Sequence, residues 1–292
     1  MEESFASSFT ASQRSVLVTG CSSGIGRATA LGLARAGYTV FATVRTEAHA
    51  TELRGLGIPD LVPLCPLDLT HLEHIPPVMA RVEAELAQRG QAGLYAVVHN
   101  AGGSSVAPIE LLNLEHFRRE LETRLLGSVA LTQACLPLIR SAHGRLVWIV
   151  TPAIIPTPYV ASIHACDFAV NCIARTLEIE LKPWDIPNIM IRCGGIKTAA
   201  GLRTTGEVAA LFAAAPPERL ELYRPTLSRW GEDMAAFDEK RAEPAAVAAL
   251  VLKALEARHP RRRYSIGHMA GMAAVLEALP QPLADAVLKL RF

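Results

Sequence analysis

Val16-Leu17-Val18-Thr19-Gly20-Cys21-Ser22-Ser23-Gly24-Ile25-Gly26 is the stretch on which the fold turns. A short apolar run of strand character ends at Thr19, three glycines follow, and a helix-period segment, Gly24–Ala36, takes over. Gly20 can make a tight turn, Gly24 lets the backbone approach a pyrophosphate, and Gly26 permits close packing of helix on strand. The N-terminus of such a helix turns free N–H groups and the positive end of its dipole toward phosphates. Glycine spacing alone is a weak signal; its place between a strand and a helix gives it weight. Gly20, Ser22, Ser23, Gly24, Ile25 and Gly26 are therefore the expected phosphate loop of a nucleotide cofactor.

Outward from this loop, β-like runs alternate with longer helical ones. Strands are predicted at Ser15–Thr19, Thr39–Val44, Leu61–Leu64, Tyr95–Val98, Leu146–Val150, Asn188–Ile191 and Tyr264–Ile266. Helices are predicted at Gly24–Ala36, Glu47–Leu56, Val78–Arg89, Leu114–Arg140 and Tyr159–Lys182. Parallel strands need crossovers, so the alternation predicts an α/β chain: one doubly wound parallel sheet of Rossmann type, with helices on both faces. The single domain is expected over 14–292, after a flexible segment 1–13. Residues 198–243, Ala-rich with Pro216–Pro217 in the middle, read as a lid over the strand ends or as extra packing helices.

Composition narrows the function classes. The 292 residues carry 29 Lys plus Arg against 28 Asp plus Glu, a net charge of +1, which gives no reason to expect a nucleic-acid partner. No apolar stretch approaches the roughly 20 residues of a membrane span, and the polar first fifteen residues lack a signal-peptide pattern. Six cysteines without a C-x-x-C pair fit neither a zinc site nor a disulfide framework, so a reducing, cytoplasmic setting is expected, with no metal.

At the level of motifs the chain resembles the short-chain dehydrogenase/reductase family, nearest in style to steroid and retinol dehydrogenases. Thr19-Gly20-x-x-x-Gly24-x-Gly26 is similar to that family's own glycine pattern. Asp68-Leu69 resembles its adenine contact, and Asn100-Ala101-Gly102 its N-A-G motif, with His99 where Asn is usual. Cys193-Gly194, Ile196 and Thr198 parallel its P-G segment and the Thr at the cofactor carboxamide, with Cys in place of Pro. The resemblance implies a nicotinamide cofactor and pairing into a homodimer or homotetramer through the long helices. At the end of the second predicted strand no acidic residue stands ready for the ribose hydroxyls. Arg45 is there instead and either meets a 2′-phosphate or is a solvated surface arginine; the first favours NADP(H) over NAD(H).

The family's Ser-Tyr-Lys set and helper Asn are matched only in part. Tyr159 stands in Tyr159-x-Ala161-Ser162-Ile163, so the resemblance implies Tyr159 as the proton donor while the Lys position is Ile163. His164 lies five residues on and is expected to pack or face solvent. Thr151 is either the hydroxyl at the Ser position or a strand-end residue without a role; Pro152, Pro156 and Pro158 stiffen the segment to Tyr159. The Asn position is Arg124, which either supplies the missing cation beside Tyr159 or reaches a carboxylate or solvent. The leading expectation is an NADPH-dependent reductase of a lipophilic ketone or aldehyde, because a phenol lacking an activating cation begins reduction in its dominant neutral form. The alternatives are a non-redox cyclase, dehydratase or isomerase in the same pocket, and a silent cofactor-binding protein.

Overall fold

The computed structural model describes residues 14–103, 105–152, 156–198 and 216–291. The expected flexible segment 1–13 and the 199–215 part of the lid-like stretch lie outside the described residues. Seven strands form one sheet: β1 Ser15–Val18, β2 Thr39–Thr43, β3 Leu61–Leu64, β4 Leu94–His99, β5 Arg145–Val150, β6 Asn188–Cys193 and β7 Arg263–Ile266. Their order is β3-β2-β1-β4-β5-β6-β7, and every pairing is parallel. The predicted strands differ from these only by a residue or two at the ends.

Helices cover both faces, as parallel crossovers require. They are α1 Gly24–Arg35, α2 Glu47–Arg54, α3 Ile75–Gln88, α4 Leu114–Leu121, α5 Gly127–Ser141, α6 Ala161–Glu180, α7 Pro217–Asp238, α8 Pro244–Glu256, α9 Ala270–Glu277 and α10 Gln281–Arg291. Successive strand residues point to opposite faces, so Val16 and Val18 join one buried cluster with Leu33 of α1 and Val251 of α8. Leu17 between them joins the other, with Val82 of α3, Ile139 of α5 and Trp148.

Two departures from the predicted helices bear on function. The run expected as one helix over Leu114–Arg140 is broken by a five-residue π-helical turn, Glu122–Leu126, between α4 and α5. Such wide turns concentrate at functional sites, and this one carries Arg124. The helix predicted from Tyr159 begins instead at Ala161; Tyr159 has a left-handed φ of 67° and lies outside it. With prolines at 156 and 158, the segment enters the helix through a turn rather than as its first residues.

The chain order reverses between β1 and β4, where the crevice at the strand ends opens. A cavity of about 970 Å³ occupies it.

Candidate active site

One side of the cavity is the glycine turn. Gly20 and Gly24 adopt left-handed φ values of 71° and 57°. At Gly26 a Cβ would sit 2.2 Å from the Gly20 carbonyl oxygen, so only hydrogen fits between the turn and α1. Asn100 ties the turn to β4: its Nδ2 donates to the Thr19 carbonyl at 2.9 Å, and the Asn100 and Ala101 amides donate to Thr19 Oγ1 at 2.9 Å each. Ser23 caps α1 without a side-chain hydrogen bond, and the first turn of the helix holds no acidic residue. Its N–H groups and dipole are thus left for an anion, and the missing Cβ atoms leave the backbone bare. This cradle fits the pyrophosphate of a dinucleotide.

Gly20, Ser22, Ser23, Gly24, Ile25, Arg45, Asp68, Leu69, Asn100, Ala101, Gly102, Gly194, Ile196 and Thr198 all line the one cavity. Gly26 alone of the expected cofactor residues does not, and acts by closeness rather than by contact. Asp68 accepts from the Thr70 amide and hydroxyl at 3.1 and 2.9 Å. Burial works against its ionisation, but those two bonds and the charge of Arg45 prevail and hold the carboxyl below its ordinary range. Val44 is buried and Arg45 is exposed at the end of β2, where Arg45 lines the cavity.

The facing side holds the chemistry. Thr151, Arg124, Ile163 and His164 line the cavity, so His164 belongs to the site rather than to a packing or solvent face. Tyr159 is not part of the lining. Its carbonyl accepts from the Ala107 amide at 2.8 Å, and its ring stands edge-on to Trp230 of α7, with centroids 5.8 Å apart. That left-handed turn, not a helix face shared with Ile163, sets where the phenol goes.

Arg124 has a carboxylate partner that the motifs did not reveal. Its Nη1 donates to Asp167 Oδ1 at 2.7 Å and its Nε to the Gly103 carbonyl at 3.0 Å. The second carboxylate oxygen, Oδ2, accepts from both the amide and the hydroxyl of Thr151, each at 2.7 Å. Asp167 is 1% exposed as a side chain and Arg124 15%. A Cβ on Gly102 would lie 2.6 Å from Arg124 Nε, so the guanidinium passes where that glycine has no side chain. The signal for Asp167 was present: an acid within the apolar run Cys166-Asp167-Phe168-Ala169-Val170, one turn beyond Ile163 on the same helix face. The cation at 124 and the anion at 167 form one largely buried pair.

His99 lies behind this wall, buried and stacked on Trp148 with centroids 4.1 Å apart. Thr132 Oγ1 donates to the Ser128 carbonyl at 2.8 Å, which leaves it to accept from His99 Nε2 at 3.0 Å. Nδ1 has no partner. Burial lowers the His99 pKa to about 3, so the ring is neutral.

Another part of the cavity carries apolar side chains from three helices, with Asp233 of α7 and Lys240 beside them. Trp230, Met234 and Phe237 of α7 meet Met272 and Leu276 of α9 and Val287 and Leu288 of α10. Within the stretch 198–243, read as a lid or as packing helices, Trp230 and Met234 of α7 line the cavity, Leu220 and Leu227 are buried, and Leu222 is exposed. The last helix, α10, contributes Val287 and Leu288 to the wall. Among the described residues no helix is long and apolar enough to cross a membrane.

Known proteins resemble this chain in sequence and fold. The family model for short chain dehydrogenases matches residues 14–206. Human 11-beta-hydroxysteroid dehydrogenase type 2 is 34% identical over 269 residues, 89% of this chain, and the chain spans only 65% of that protein's length. Human retinol dehydrogenase 16 is 30% identical over 94% of this chain and 87% of its own. The crystal structure of a short-chain dehydrogenase from Streptomyces avermitilis superposes with a TM-score of 0.73 at 25% identity, covering 97% of this chain and 96% of that one. With the glycine cradle, the strand order and a match over more than half its length in agreement, the chain belongs to the short chain dehydrogenase family.

Proposed function

We propose that the protein is an NADP(H)-dependent oxidoreductase that interconverts a lipophilic carbonyl compound and its alcohol, in the reducing interior of the cell. The observation that carries this reading is the continuity of one cavity from the bare glycine cradle to the apolar side chains of α7, α9 and α10. The relatives named for steroid and retinol substrates support a lipophilic compound, and the six free cysteines support the reducing setting. Bound in the cradle, the nicotinamide cofactor supplies the hydride.

The chain's own residues do the rest. The N–H groups of α1 hold the pyrophosphate, Arg45 takes the 2′-phosphate as a charge-assisted pair, and Asp68 and Leu69 border the adenine. Ile196 and Thr198 meet the carboxamide end, and Thr151 is the hydroxyl that the substrate oxygen encounters. Tyr159 serves as the proton donor, its ring standing edge-on to Trp230, itself a cavity residue. Arg124 is already neutralised by Asp167, so it orders the wall instead of acting as a bare cation beside the phenol.

Calorimetric titration of the full chain with NADPH and then NADH tests the cofactor reading. Micromolar NADPH binding, with NADH weaker by about tenfold and the gap closed in Arg45→Ala, is the expected result. If neither nucleotide binds, the oxidoreductase reading falls; if both bind equally, the NADP(H) preference does.

A further inference from the structure

Thr151 stands where the resemblance implies a hydroxyl that donates to a substrate carbonyl, yet its own proton is committed elsewhere. A threonine hydroxyl has one proton and two lone pairs, and a carboxylate only accepts. With Oγ1 2.7 Å from Asp167 Oδ2, the proton lies between them and the lone pairs are what Oγ1 has left. The Thr151 amide donates to the same Oδ2 at 2.7 Å and locks the side chain in this orientation. Arg124, 2.7 Å from Oδ1, pairs with the same carboxylate and compensates its charge. A carbonyl oxygen brought to Thr151 would meet lone pair against lone pair, whereas an alcohol would find an acceptor for its proton.

We propose that Asp167 is a positioning residue that turns Thr151 into a hydrogen-bond acceptor, so that the cavity recognises a substrate hydroxyl and binds the alcohol member of the pair in preference to the carbonyl. This rests on the reading of the cavity as an oxidoreductase site, and it names the functional group recognised there. A substrate O–H donates to Thr151 Oγ1, whose own O–H donates to Asp167, whose charge is held by Arg124.

The test uses 2-decanol and 2-decanone as matched probes, titrated by calorimetry into the full-length protein loaded with NADPH. The alcohol is expected to bind about three- to tenfold more tightly, the worth of one hydrogen bond formed instead of one opposed. Thr151→Val keeps the shape and the Arg124–Asp167 pair, and should bring the two affinities within about twofold; Thr151→Ser should restore the preference. Asp167→Asn keeps an oxygen for the Thr151 amide but removes the charge that fixes the hydroxyl proton, and should narrow the preference. A wild-type protein that favours the ketone, or a preference that survives Thr151→Val, overturns the proposal. Failure of both probes to bind a chain that still takes up NADPH also overturns it, while loss of NADPH binding itself removes the oxidoreductase reading beneath it. Should Asp167→Asn fail to fold, the Thr151 pair of variants decides.

Discussion

Where the glycine turn meets Asn100 and Ala101, the cavity wall is shaped by backbone: amides, carbonyls and the absence of Cβ atoms at a few positions. Across the cavity, the wall of Arg124, Thr151 and Asp167 is shaped by charge, through three hydrogen bonds to one buried carboxylate. The first wall tolerates almost no added atom and makes few demands on side-chain chemistry. The second is the reverse: each of its members is defined by what its side chain gives or takes.

The contrast can be broken most forcefully at Asp167. Asp167→Ala leaves a nearly buried guanidinium without its anion, and a loss of about 3–5 kcal/mol in chemical denaturation is expected. A loss under about 1 kcal/mol, as for an exposed pair, would mean that charge does not build this wall. A smaller effect is expected in the backbone wall. Gly26→Ala forces a Cβ against the Gly20 carbonyl and should cost about 1–3 kcal/mol, with nucleotide binding lost at the same time. A stable Gly26→Ala protein with unchanged NADPH affinity would show that the tight contact is not required.

The gentlest effect per unit of change is a pH slope set by His99, which lies behind the second wall. Burial depresses the His99 pKa to about 3, so the unfolded chain, with an ordinary pKa of ~6.5, takes up this proton first as the solution is acidified. The neutral ring's contribution is complete above about pH 6.5 and is lost progressively as pH falls toward about 3, by at most about 1.4 kcal/mol per pH unit. Denaturation midpoints for His99→Asn should lack that part of the slope; an unchanged slope would show that His99 titrates as readily folded as unfolded.

The same contrast explains what could be read from sequence. The backbone wall was legible because glycine spacing and strand–helix order are local signals: Gly20, Gly24, Asn100 and Thr198 each sit in a short motif with a mechanical reason. The strands β1, β2, β4, β5 and β6 were legible for a similar reason, since parallel strands buried on both faces are apolar runs. The charged wall was not, because its bonds join Arg124, Thr151 and Asp167 across three elements. Asp167 broke no periodic pattern strongly enough to be noticed, and its partner lies 43 residues earlier. Tyr159 was placed correctly in the motif but not in space: the motif implies a helix position, and the prolines before it produce a left-handed turn. Of the two readings of Arg124, the structure favours the one in which it reaches a carboxylate, and sequence alone did not say which carboxylate.

The strand order has a bearing on how the protein comes to exist. The glycine turn is made by residues near the start of the chain, yet Asn100, which fastens it, lies 81 residues after Thr19, and Gly24 would touch Thr198 if it bore a side chain. Closing such long loops carries an entropic cost that must be met before the contacts reward it, so β1 acquires its β4 neighbour late relative to the local β1–β2 and β2–β3 crossovers. A partly assembled chain therefore has a helix N-terminus but no cleft. Ligand capture would mark the final stage of folding, and a nucleotide supplied during refolding would stabilise the finished protein without guiding the path that leads to it.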